Sequence, residues 1–130
     1  ARSRLLPGNG SLLPEVYMQL DDCLFCRIAR GEIPAAKVYE DDEVLAFKDI
    51  HPKAPVHFLI IPTKHIQSLA HAEPEDNALL GKMLGLTRKL AMQEGAVNGF
   101  RVIINTGRDG GQEVDHLHIH VLGGPQPWTK

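Results

Sequence analysis

Along this 130-residue chain the alternation of apolar and polar positions changes period several times, and each change marks an element. Leu24 to Ala29 is a short mixed run closed by Gly31 and then Pro34, which predicts a short helix. Lys37-Val38-Tyr39-Glu40 and Val44-Leu45-Ala46-Phe47 predict two strands, and Asp41-Asp42 between them predicts a hairpin turn. The stretch from Asp49 to Pro55 carries Pro52 and Pro55 and reads as loop. His57-Phe58-Leu59-Ile60-Ile61 is almost wholly apolar, so it predicts a central strand, ended by Pro62. Leu79, Leu80, Met83, Leu84, Leu86 and Leu90 recur at helical spacing and predict a long helix from about Pro74 to Glu94, with Gly95 as its stop. Phe100 to Ile104 and Val114 to Leu122 predict the fourth and fifth strands, and Gly123-Gly124-Pro125 closes the last. Hairpin-linked strands with one long and one short helix imply an α+β fold, a five-stranded antiparallel sheet with its helices on one face. Ala1 to Tyr17 shows no period. It is expected to be an expression leader or a disordered segment ahead of Met18, with residues 18–130 as one domain.

Composition narrows the classes. Hydrophobic residues make up 43% of the chain, enough for a core. The formal net charge is -2, and no Lys/Arg cluster offsets it, so binding along a nucleic-acid backbone is not expected. No apolar run reaches the roughly 18 residues of a membrane span. Two cysteines make no disulfide framework, and the expected compartment is the cytoplasm.

The chemistry concentrates in His116-Leu117-His118-Ile119-His120. Side chains alternate along a strand, so the three histidines share one face, spaced about 6.6 Å apart, and Leu117 and Ile119 take the other. One strand histidine is ordinarily structural. Three on one face would need three sets of buried partners, which points to a site. Metal binding and phosphate chemistry both suit it. The preceding loop, Gly107 to Glu113, favours phosphate, because glycines let main-chain N–H groups converge on an anion.

These residues resemble the histidine triad (HIT) superfamily signature, His-x-His-x-His-x-x with hydrophobic x. Glu32-Ile33-Pro34, Leu45 to Ile50, Ala54 to Pro62, Gly110-Gly111-Gln112 and Leu122-Gly123-Gly124 are similar, in order, to its Hint branch, the purine nucleoside phosphoramidases. The resemblance implies a sheet that pairs into a ten-stranded homodimer. It also implies hydrolysis of the P–N bond of adenosine 5′-phosphoramidates through a covalent nucleotidyl-histidine on His118, with no cofactor required for catalysis. By position His57, His116 and His120 join His118 in the catalytic group. Phe25, Ile28, Phe47 and Ile50 would line the base pocket, and Asp49 would hold the ribose hydroxyls. Asn105, Gly111, Gln112, Glu113 and His120 would surround the phosphate. Glu113 stands where many members have serine, and Pro125 where many have arginine. The alternatives are a dinucleoside polyphosphate hydrolase of another branch, or a zinc-containing interaction protein without turnover.

Cys23 and Cys26 leave two readings open. They pack as small hydrophobes, or they resemble the Cys-x-x-Cys of some bacterial relatives, in which Cys23, Cys26, His65 and His116 would hold a structural zinc. His51 and His71 are expected at the surface.

Overall fold

The computed structural model describes residues 23–128, so the expected leader over 1–17 lies outside the described residues. In chain order the elements are α1 (Leu24–Ala29), β1 (Lys37–Glu40), β2 (Val44–Lys48), β3 (Val56–Pro62), α2 (Asn77–Gln93), β4 (Phe100–Ile103) and β5 (Ile119–Gly123). The strands form one antiparallel sheet in the order β1-β2-β3-β5-β4. The expected α+β architecture is what the chain adopts. Asp41 makes the β1–β2 turn, its Oδ1 accepting from the main-chain N–H of Glu43 at 2.8 Å and of Val44 at 2.9 Å.

The sheet is covered on both sides, so the helices do not share a face as expected. Val44, Ala46, Phe58, Ile60, Leu117, Ile119 and Val121 pack with Met83, Leu90 and Ala91 of α2. Leu45, Phe47, Leu59 and Ile61 point the other way, onto Phe25, Cys26 and Ile28 of α1. The run in β3 is apolar at nearly every position because both of its faces need cover. That run shows that β3 is central, but it carries no information on which helix covers which face.

Two further expectations shift. The α-helical part of the long helix begins at Asn77, behind a 3₁₀ turn over Pro74–Asp76 in which Glu73 and Asp76 form a reciprocal cap. Leu84 is not part of the buried stripe; it is 53% exposed, and the slot above it is filled by Thr87, whose hydroxyl donates to the Leu84 carbonyl at 2.7 Å. Among the described residues no helix is long and apolar enough to cross a membrane.

Candidate active site and metal centre

The ladder of β5 begins at Ile119, so only His120 of the three histidines belongs to it; the strand expected from Val114 starts five residues late. Residues 114–116 are bent, with the His116 N–H donating to the Val114 carbonyl at 2.8 Å, and Leu117 N–H donates to Ile66 rather than to a strand. The alternation survives without the ladder. Leu117 and Ile119 enter the α2 side of the core, while the rings of His116 and His118 both meet Phe25 of α1, at 6.0 and 5.2 Å between centroids.

Main-chain groups place the protons of His118 and His57, and His57 places that of His120. His118 Nδ1 lies 2.6 Å from the His116 carbonyl oxygen, which only accepts, so Nδ1 carries the proton and Nε2 keeps its lone pair. His57 Nδ1 accepts from the main-chain N–H of Lys53 at 3.1 Å, so neutral His57 carries its proton on Nε2. That proton faces His120 Nδ1 at 3.1 Å and Asp49 Oδ2 at 3.4 Å. His120 in turn holds its proton on Nε2. Lys53, His57 and His120 are therefore a relay that leaves one N–H donor beside one nucleophilic nitrogen. Asp49, His57 and His120 bring ligating atoms within 4.8 Å of one another, as a metal site would. A cation on His57 Nε2 would require that ring to lose its last proton, so the trio is a hydrogen-bond chain and not a ligand set.

Asp49, Lys53, His118 and His120 line a cavity of about 430 Å³, within the size range of small-molecule sites, while His57 lies behind His120 and does not line it. Phe25, Ile28, Phe47 and Ile50 form its apolar end, and Asp49, Asn105, Gly111, Glu113, His118 and His120 line it too. Phe47 serves core and cavity at once, at 5% exposed, whereas Ile50 is an open rim at 85% exposed. Asp49 also caps its own turn, Oδ1 accepting from His51 N–H at 2.8 Å, so the turn role and a cavity role coexist. Ile33, Ala35 and Leu59 line the cavity as well and were not singled out in the sequence. Leu59 was detectable there, because it lies two residues after His57 on the same face of β3 and pairs with His120.

The glycine loop is built differently from expectation. Gly110, Gly111 and Gln112 commit their N–H groups to carbonyls of Gly107 and Arg108 inside the loop. Gln112 ties the loop shut, its Oε1 accepting from Gly107 N–H at 2.8 Å and its Nε2 donating to Gln67 and Val114 carbonyls. Gly111 sits at φ +79°, and a Cβ on Gly110 would run into the backbone of Thr106. The N–H of Glu113, at the cavity wall, makes no hydrogen bond among the described residues.

Burial sets the protonation of the imidazoles. It holds His118 below its ordinary 6.5, against the His116 carbonyl bond, which favours the protonated ring. His120 is pushed down to about 4, by burial first and then by the facing rings of His118 and His57. His57 is lowered too, burial outweighing the attraction of Asp49. All three rings are neutral at pH 7.

On the far side of α1 a second group converges. Cys23 Sγ lies 3.3 Å from His116 Nδ1, Cys26 Sγ lies 3.3 Å from His65 Nδ1 and 3.5 Å from His116 Nδ1, and the two Nδ1 atoms are 3.2 Å apart. A tetrahedral zinc with ordinary bond lengths has S···N edges of about 3.5 Å and N···N edges of about 3.3 Å. His116 Nε2 donates to the Pro62 carbonyl at 2.9 Å, which leaves Nδ1 as a lone pair aimed into the group and supplies the carbonyl partner a metal-bound histidine ordinarily has. The Cys23 thiol is held well below its usual range, first by its hydrogen bond with Cys26, against burial, and then by His116 and His65. Two soft thiolates with two imidazoles fit zinc, and the four side chains sit within metal-binding distance. His51 and His71 are exposed, as expected, with His71 hydrogen-bonded to Ser68 at 2.7 Å.

Comparison with known proteins agrees with this geometry. Residues 30–126 match the HIT domain. Protein HitA of Neisseria gonorrhoeae is 56% identical over 106 residues, covering 82% of this chain and 99% of that protein. A crystal structure of a HIT family hydrolase from Legionella pneumophila superposes with a TM-score of 0.78 at 51% identity, over 81% of this chain and 95% of the other. A histidine triad protein from Clostridium difficile gives 0.81 at 49% identity, over 85% and 96%. With its triad, its sheet and this match over most of its length, the chain belongs to the HIT family.

Proposed function

We propose that the protein is a nucleotide hydrolase that cleaves the P–N bond of adenosine 5′-phosphoramidates and related purine nucleotide conjugates, with His118 as nucleophile. The observation that carries this reading is the bare Nε2 of His118, its other nitrogen fixed on a main-chain carbonyl, at the wall of a cavity with an apolar end. A flat purine fits between Phe25, Phe47, Ile28 and Ile50, and the Asp49 carboxylate is an acceptor for two ribose hydroxyls. His118 Nε2 attacks the phosphorus, the P–N bond breaks, and the nitrogen leaves as an amine after taking up a proton from solvent, which the hydrolysis of the intermediate by water later returns. Water then attacks the nucleotidyl-histidine, releasing the monophosphate and restoring neutral His118. The N–H groups of His120 and Glu113 donate to the phosphoryl oxygens as charge builds there. An open cleft lined by Gln67, Glu113, Val114 and Asp115 adjoins the cavity and gives the amine room to leave.

Side-by-side assays of an adenosine phosphoramidate and a diadenosine polyphosphate test this reading. Faster release of AMP from the phosphoramidate supports it, and turnover of the polyphosphate alone would replace it with the other branch. In the same reading two copies pair through the exposed edge strand β4 into a ten-stranded sheet, and sedimentation at micromolar concentration is expected to give a dimer. The Cys23–Cys26–His65–His116 group holds a structural zinc that takes no part in the chemistry.

The pKa shifts fix the sign of the pH dependence. The nucleophile must be neutral, and His118 takes up its proton below 6.5. A profile of kcat/KM is therefore expected to stay level from neutral pH to below 6.5 and then fall. Stability follows the same sense. Unfolded histidines bind protons near 6.5 and the folded ones only at lower pH, so unfolding takes up protons in between. Denaturation midpoints should decline as pH drops from about 6.5 toward the value of about 4 for His120.

A further inference from the structure

The helix α1 is six residues long, too short to hold its own shape. Two sites use it from opposite sides. Cys23, its N-cap, and Cys26 face His65 and His116. Phe25 and Ile28, interleaved with them, are walls of the nucleotide cavity. The Phe25 ring stands edge-on to Phe47, His116 and His118, at 5.5, 6.0 and 5.2 Å. His116 is shared in the same way: its Nδ1 belongs to the four-donor group, and its carbonyl holds the nucleophile's proton. One ring and one peptide unit are all that separates the two sites.

We propose that a thiophilic divalent cation at Cys23, Cys26, His65 and His116 and a nucleotide in the cavity strengthen each other's binding, with Phe25 and His116 as the positioning residues between them. The proposal rests on the nucleotide reading of the cavity. With the cation bound, Cys23 and Cys26 tie the N-terminal half of α1 to His65 and His116 and place Phe25 against the purine. Without it, α1 is kept by side-chain packing and sulfur–nitrogen hydrogen bonds, and the nucleotide must order the helix as it binds. Apparent affinity is then reduced to the intrinsic affinity times the fraction of time the helix is in place. Linkage makes the effect equal in both directions. It is expected on affinity, because Phe25 and Ile28 of α1 are cavity walls, while Leu117 anchors the segment that carries His118 through its N–H to Ile66 and through the core.

The test is calorimetric titration of AMP into zinc-loaded and chelator-stripped protein. We expect the stripped form to bind AMP about tenfold more weakly, within the usual span of coupling between sites. Saturating AMP should tighten zinc, read by competition with a chromophoric chelator, by the same factor. In cobalt-substituted protein the thiolate-to-metal absorption should shift when AMP binds. Phe25→Leu should keep one cation per chain and lose most of the coupling. A centre that is merely structural would change thermal stability and leave the AMP affinity equal in the two forms, and that result overturns the proposal. Should stripping unfold the chain, the comparison moves to zinc tightening by AMP in wild type and Phe25→Leu. Equal tightening in both is what global folding alone produces, and it also overturns the proposal. AMP binding in neither form removes the nucleotide reading itself, a separate and distinguishable failure.

Discussion

His118→Ala is expected to lower turnover of an adenosine phosphoramidate by on the order of 10⁴-fold or more, the range seen when a covalent nucleophile is deleted. Its affinity for AMP should stay close to that of the wild type. In the proposed mechanism the substitution removes the one nitrogen that bonds to phosphorus, while the cavity walls assigned to purine and ribose belong to α1, β2 and the turn after it. Steady-state kinetics and an AMP titration on the same preparation separate the two effects. Mass spectrometry of wild-type protein quenched during turnover should find a nucleotidyl adduct on His118, and none in the variant. Retained turnover in His118→Ala would overturn the mechanism, and lost AMP binding would mean that the ring supports the cavity as well.

Phe58→Ala should have the largest effect on stability. Phe58 is 1% exposed, in the central strand, on the face that meets α2. Truncating a buried phenylalanine to alanine costs about 3–5 kcal/mol, against a total of roughly 5–15 kcal/mol for a domain. Chemical denaturation should show the midpoint fall sharply with the slope unchanged. The catalytic face should be less affected at temperatures where the variant is folded, because Phe58 points away from His57 and Leu59. A loss of stability under about 1 kcal/mol would mean that α2 closes over the vacated space.

What the sequence made legible depended on how local the cause was. The short helix over Leu24 to Ala29 follows from Gly31 and Pro34 beyond its end and matches the structure, which adds Cys23 as the cap at the other end. The hairpin at Asp41 follows from one carboxylate reaching two N–H groups nearby. The proposed nucleophile, His118, followed from resemblance, but its tautomer did not, because the deciding partner is a carbonyl whose direction depends on the bend at residues 114–116. That bend also delays the start of β5 to Ile119, since strict alternation looks the same in a paired strand and in an extended segment bonded to a loop. The loop glycines looked like an anion cradle, yet the amides of Gly110, Gly111 and Gln112 close the loop on itself. Spacing left Cys23 and Cys26 undecided between filler and ligand; His65 and His116, distant in sequence, arrive beside them only through the packing of β3 and the segment before β5.

The bond from Lys53 to His57 has a consequence for how such a protein would be surveyed by mutation. The donor is the main-chain nitrogen of Lys53, so replacing its side chain with alanine leaves the contact in place. A scan of side chains would score position 53 as silent, although the amide there dictates which way the protons on two downstream rings point. Only an exchange that deletes the hydrogen itself, a proline or an ester linkage at that position, would free His57 to take its other tautomer and let the His120 proton move with it.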